Sequence, residues 1–169
     1  MFKYNDILFR AIEETDLAFL YDMRCDEIIN EQLFSVFPVS LFGQKAWLET
    51  MQKNEKNKIL IVDFEGVNEK NTIGYIKLAN IDFRNQNAEI GLDIQKNFRK
   101  KGLSKNVYNA LFQYCFNYLN FHKVYLYVFE SNIIAVNIYK KLGFEIEANL
   151  KKHVFRNSWK NILIMSKFR

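Results

Sequence analysis

Arg99, Lys100 and Lys101 run directly into Gly102, Leu103 and Ser104, where an alternating apolar stretch gives way to a helical pattern. Three cations at the start of a helix suit one ligand chemistry above others, that of a phosphate or diphosphate. The first helical turn leaves main-chain N–H groups without intrahelical partners, and the helix dipole is positive at that end. Gly102 has no side chain to hold such an anion off the backbone. A solvated basic turn that merely starts a helix is the competing reading of the same residues. Two acids stand just upstream. In Ala88–Ile94 the strand period puts Glu89, Gly91 and Asp93 on one face. On an alternating strand these carboxylates read as solvent-facing charges, or as groups that could hold a cation in a cleft.

A second segment, Asn132 to Phe144, follows the most β-prone run of the chain, Val124–Phe129. Ala135, Ile138, Tyr139 and Leu142 share one face of a short helix, and Gly143 suits its left-handed stop. From periodicity alone, Tyr139 is a packed aromatic.

The two segments together resemble the GNAT superfamily of acyl-CoA N-acyltransferases. Its Arg/Gln-x-x-Gly-x-Gly/Ala signature is met by Arg99, Gly102 and Ser104, the serine departing from the usual Gly or Ala. Its Asn-x-x-Ala/Ser-x-x-x-Tyr-x-x-x-Gly-Phe signature is met at every spacing by Asn132, Ala135, Tyr139, Gly143 and Phe144. Leu8-Phe9-Arg10-Ala11, Asp16-Leu17 and Ala88-Glu89-Ile90-Gly91 look like the ribosomal-protein N-acetyltransferase branch.

The resemblance implies an α+β fold, with a mixed, mostly antiparallel central sheet and helices on both faces, formed by residues 1–169 as a single domain. It implies acetyl-CoA as co-substrate and no metal. The diphosphate would sit on Arg99, Lys100, Lys101, Gly102, Leu103, Ser104 and Lys105. Pantetheine would enter a gap beside the main chain of Leu92, Asp93 and Ile94, with Asn132 and Ala135 along it. Tyr139 then reads as the acid that protonates the leaving thiolate, and Glu89 as the base, with Asp93 in reserve. The acceptor is expected to be a small-molecule primary amine, such as an amino-sugar or polyamine, attacking directly in a ternary complex. A protein N-terminus, or a catalytically silent acyl-CoA-binding module, are the alternatives. Pairing into a homodimer is a further expectation of the resemblance.

Several elements must position these residues. The patterns predict a strand at Ile7–Ala11 and a helix from Glu14 or Thr15 to about Arg24. Ser40 should cap a helix over Leu41–Lys53. Strands at Ile59–Phe64 and Thr72–Ala79 form a hairpin, and the strand through Glu89 follows. A long helix then runs to about Asn120, with Leu103, Val107, Ala110, Leu111, Tyr114 and Tyr118 on one face. Strands at Lys123–Glu130, Glu145–Phe155 and Trp159–Lys167 complete the order. The acceptor wall is expected between Arg24 and Trp47, with Glu27, Phe34 and Phe37 among its residues. Tyr4, Tyr75 and Arg84 are further candidates for the cleft.

Composition narrows the classes. The 169 residues are 49% hydrophobic and 16% aromatic, with one proline and six glycines, which is a packed chain without linkers. Net charge is +5 from 24 basic and 19 acidic residues. That modest excess favours acidic partners such as CoA, but the lysines are scattered and no nucleic-acid-binding motif accompanies them. Cys25 and Cys115 lack metal or redox spacing, and His122 and His153 lack ligand partners at helical spacing. No signal-peptide layout or membrane-length apolar run is present, so a cytoplasmic protein is expected.

Overall fold

The computed structural model describes residues 1–32, 39–66 and 70–169. The elements are β1 (Phe2–Tyr4), β2 (Ile7–Arg10), α1 (Leu17–Cys25), α2 (Glu27–Gln32), α3 (Leu41–Lys53), β3 (Lys58–Glu65), β4 (Lys70–Asp82) and β5 (Asn87–Ile94). They continue as α4 (Leu103–Phe112), β6 (Lys123–Phe129), α5 (Ile133–Lys141), β7 (Glu145–Arg156) and β8 (Ser158–Phe168). All eight strands join one sheet in the order β1-β2-β3-β4-β5-β6-β8-β7. Every neighbouring pair is antiparallel except β5 and β6. This is the mixed, mostly antiparallel sheet expected from the sequence.

Strand alternation explains the two helical layers. On β3, Val62 points into the large core with Val107, Leu111 and Phe116, which belong to α4 and the turn after it. Its neighbour Ile61 points the other way, against Leu20 of α1 and Leu48 of α3. Adjacent residues on a strand face opposite sides, so α1 and α3 cover one face while α4 and α5 cover the other. Each fully buried Ile, Leu or Val contributes about 1.5–3 kcal/mol by leaving water.

Local chemistry accounts for most element ends. Ser40 Oγ accepts from Gly43 N–H at 3.0 Å and caps α3, as its type and position predict. Arg10 ties β2 to the chain entering α1, donating to both Asp16 oxygens at 2.7 and 2.8 Å. It also reaches Asp63 Oδ2 on β3 at 2.8 Å.

The structure differs from the sequence reading in three places. Three-residue β1 and six-residue α2 are too short to show a period. The first helix opens with a 3-10 turn, Glu14–Asp16, before α1 proper. The long helix changes hand-over after Phe112 into a π-helical turn, Gln113–Tyr118. The wider turn shifts the buried side to Cys115 and Phe116, so Tyr118 is exposed and stacks on Tyr114.

Candidate active site

The ladder between β5 and β6 registers only Asn87, Ala88 and Glu89, opposite Lys123, Val124 and Tyr125. Both strands continue past it, to Ile94 and Phe129, while β5 stays paired with β4 as far as Ile94. A slot therefore opens beside Leu92, Asp93 and Ile94. Gly74 lets β5 take this course: a Cβ at that position would lie 2.1 Å from the Asp93 carbonyl oxygen.

Two cavities meet at the slot. The smaller, about 220 Å³, is lined by Leu92, Asp93, Ile94, Arg99, Ser104, Tyr108, Ala135 and Tyr139, with Ile28 and Ile29 of α2 above. The larger, about 730 Å³, lies under α1 and α3 and includes Arg24, Gln44, Trp47, Tyr75, Lys77, Glu89 and Gly91. Leu92, Asp93 and Tyr139 border both.

The mouth of the smaller cavity is the basic loop. Lys100 and Gly102 are both left-handed, at φ 62° and 77°, and turn the chain into the first turn of α4. No heavy atom lies within 4 Å of where a Gly102 Cβ would be, so the backbone is open to an anion there. Lys100, Lys101 and Lys105 are exposed, and Lys101 Nζ lies over the Phe98 ring at 5.2 Å. Arg99 instead folds inward. Its Nε donates to the Ile94 carbonyl at 2.8 Å, and Nη2 lies 3.1 Å from Asp26 Oδ2. Nη1 is buried with no hydrogen-bond partner among the described residues, which leaves a donor for a ligand oxygen.

Asn132 caps α5, its Oδ1 accepting from Ala135 N–H at 3.1 Å. That helix carries Tyr139 to the slot, where its ring meets Tyr108 edge to face. Burial pushes the Tyr139 phenol upward, while hydrogen-bonding contact with the Tyr108 hydroxyl acts against it. Burial likewise raises the Asp93 carboxyl. Contact with the Tyr75 hydroxyl and the charges of Arg99, Arg24 and Lys77 pull it partway back. Glu89 has partners on both oxygens: Asn80 Nδ2 donates to Oε2 at 2.9 Å, and Lys77 Nζ is 3.6 Å from Oε1.

Arg24, Tyr75 and Trp47 line the larger cavity as expected, but Glu27, Tyr4 and Arg84 do not. Glu27 is exposed on α2, Tyr4 packs on the large core, and Arg84 is exposed in the turn between β4 and β5. Phe34 and Phe37 lie outside the described residues. Lys77, Tyr108, Asp26 and Gln44 are among the residues of the site that escape the sequence reading. Lys77 shares the β4 face of Tyr75 and lies opposite Gly91, so cross-strand register was the signal that could have found it.

Cys115 is buried and its thiol is pushed up to about 12 by desolvation, which removes it as a thiolate nucleophile. Among the described residues, no group of three His, Cys, Asp or Glu side chains is placed to hold a metal.

Residues 6–145 match the acetyltransferase (GNAT) domain family. The chain belongs to this family. It is an acetyl-CoA-dependent N-acetyltransferase. The acetyltransferase is 28% identical over 155 residues to spermidine N(1)-acetyltransferase of Vibrio cholerae, covering 90% of this chain and 87% of that one. Against the spermidine N(1)-acetyltransferase of Escherichia coli K12 the identity is 26% over 167 residues, covering 98% and 87%. The crystal structure of the Vibrio cholerae spermidine N-acetyltransferase in complex with CoA and spermine superposes with a TM-score of 0.89. Its identity is 25%, with 98% of this chain and 96% of that chain covered. A dodecameric form of that enzyme gives a TM-score of 0.82 at 25% identity, with 98% and 95% covered.

Proposed function

We propose that this acetyltransferase moves an acetyl group from CoA to the primary amine of a small molecule, by direct attack in a ternary complex. The observation that carries the reading is the shared wall of the two cavities. Thioester and amine can occupy separate chambers and touch only at Leu92, Asp93 and Tyr139. The relatives named for spermidine make a polyamine the reference acceptor.

Acetyl-CoA lies along the smaller cavity, its diphosphate on the Lys100–Lys105 main chain and the inward Arg99 beneath. Ser104 and Ala135 are small enough to leave room for the pantetheine arm, and Asn132 fixes the start of α5 beside it. The amine arrives as an ammonium. Asp93, kept basic by burial, accepts its proton directly or through a water. The nitrogen forms a bond to the thioester carbon. Charge develops on the carbonyl oxygen, which a main-chain N–H of β5 beyond Glu89 receives; such donors contribute about 3–4 kcal/mol in comparable sites. The C–S bond then breaks, Tyr139 gives its phenolic proton to the leaving thiolate, and the nitrogen, which still carries two protons, releases one that returns to the Tyr139 oxygen through water. Amide and free CoA result.

The chain works as one domain in the cytoplasm, a placement that its two free cysteines support. The dodecamer of the Vibrio cholerae enzyme supports self-association, beyond the homodimer expected from the sequence. The test of the reaction is thiol release from acetyl-CoA with a panel of small amines, including spermidine, and N-terminal peptides. Acetylation of a small amine is the expected result. Turnover confined to peptides, or binding of CoA with no turnover on any amine, would overturn it.

A further inference from the structure

The larger cavity is charge-balanced. Its charged side chains among the described residues are Arg24 and Lys77 on one side of the ledger, Glu89 and Asp93 on the other. Glu89 is the carboxylate placed to bind a second ammonium of an extended acceptor, and it is already engaged. Lys77 Nζ stands 3.6 Å from one oxygen and Asn80 Nδ2 holds the other at 2.9 Å. The pairing follows from the sheet. Lys77 is opposite Gly91, which has no side chain, so its own chain is free to lean along β5 toward Glu89. Arg24 comes from α1 on the far wall and acts electrostatically on both Asp93 and Tyr75.

A polycation entering this chamber gains little net attraction, because its described lining carries two cations and two carboxylates. It must also displace Lys77 before Glu89 can receive it. A molecule with one ammonium and one carboxylate meets complementary charge at both ends. Its amine goes to Asp93 at the shared wall, and its carboxylate to Arg24 and Lys77. The β4–β5 register puts the Lys77 backbone two residues, about 7 Å, along the strand from the Asp93 level. The flexible lysine stem spans shorter or longer acceptors.

We infer that the acceptor is a zwitterion, an amine carrying its own carboxylate, and that Lys77 is the residue that turns the cavity away from polycations. This rests on the acetyl-transfer reading above and narrows its acceptor. Lys77 is a specificity-determining residue, not a participant in bond making.

The experiment is steady-state thiol release with α-amino acids, ω-amino acids and spermidine as separate arms, using the wild type, Lys77→Glu and Lys77→Gln. The wild type should favour its best amino acid over spermidine at least ten-fold in kcat/KM. Lys77→Glu should raise kcat/KM for spermidine at least ten-fold relative to kcat/KM for the amino acid. Lys77→Gln should fall between. Stabilisation of each variant by CoA in a melting assay confirms that it folds. Preference of the wild type for spermidine, or an unchanged ratio in Lys77→Glu, overturns the inference while leaving acetyl transfer intact. Absence of thiol release in every arm overturns both.

Discussion

Tyr108 and Tyr139 meet edge to face with ring centroids 5.9 Å apart, and their hydroxyls are in hydrogen-bonding contact. Tyr108 is buried in the core of α4, so the contact fixes the direction of the Tyr139 ring and steadies the phenolate left after proton transfer. Tyr139→Phe should lower kcat by about 10²-fold or more while CoA affinity stays within about two-fold. Tyr108→Phe should cost about ten-fold and move the alkaline limb of kcat to higher pH. The sign follows from the contact: without the donor the Tyr139 phenol rises, and the acid form persists further into base. Thiol release between neutral and strongly alkaline pH measures both. An unchanged kcat in Tyr139→Phe removes it as the acid.

Asp93 has a carboxyl raised by burial, and that has two separable consequences. As a base it must be ionised, so kcat/KM should fall on the acid side through a value above the ordinary one for an aspartate. Asp93→Asn should lose that limb and about 10²-fold or more in rate. Stability runs the other way. A group that binds its proton more tightly folded than unfolded contributes stability that is full below the unfolded value near ~3.9. That contribution is lost as pH rises through the folded value. Asp93→Asn should therefore melt higher than the wild type at neutral pH, and a lower melting temperature there would contradict the assignment.

Gly74→Ala tests the course of β5. The new methyl would overlap the Asp93 carbonyl, a main-chain atom that cannot swing aside. The strand must shift, so kcat/KM should drop at least about ten-fold, since small misplacements of reacting groups are costly. Urea unfolding should show a loss of about 1–3 kcal/mol. Wild-type activity in this variant would show that β5 can bend without its glycine neighbour.

The Arg10 cluster carries a stability prediction away from the chemistry. Asp63 is 1% exposed and receives Arg10 at 2.8 Å, Thr72 Oγ1 at 2.8 Å and Lys70 at 3.2 Å. Asp63→Ala leaves Arg10 half-partnered and should cost about 3–5 kcal/mol in urea unfolding. Burial pushes the Asp16 carboxyl up, but the Arg10 bonds and the Glu13 N–H outweigh it and hold it low. A depressed carboxyl contributes stability present above ~3.9 and lost as pH falls through the folded value, opposite in sign to Asp93. Arg10→Met should flatten that acid-side loss.

Legibility in the sequence followed length and period. The strand through Glu89, the Ser40 cap and the Gly143 stop are set by contacts within a few residues and were found within a residue or two, whereas the second hairpin strand, expected to end at Ala79, runs on to Asp82. Short β1 and α2 carry no period of their own and form because neighbours provide pairing and packing. The split between β5 and β6 was expected only from family resemblance, since no local pattern announces where a ladder stops. Arg99 was expected to face the diphosphate, yet it turns in toward Ile94 and Asp26, a partner seventy-three positions away that spacing cannot suggest. Lys77 was missed for the same reason: its meaning comes from what stands across the strand.

Because β5 and β6 share only three ladder positions, the sheet is two panels sewn together by a short seam. One panel holds β1 to β5, the other β6 to β8. Whatever fills the slot touches both panels at once and completes the missing stitches. Those amide hydrogens of Leu126–Phe129 that point away from β8 into the slot should accordingly exchange much more slowly once CoA is added, although they lie on the far panel from the basic loop.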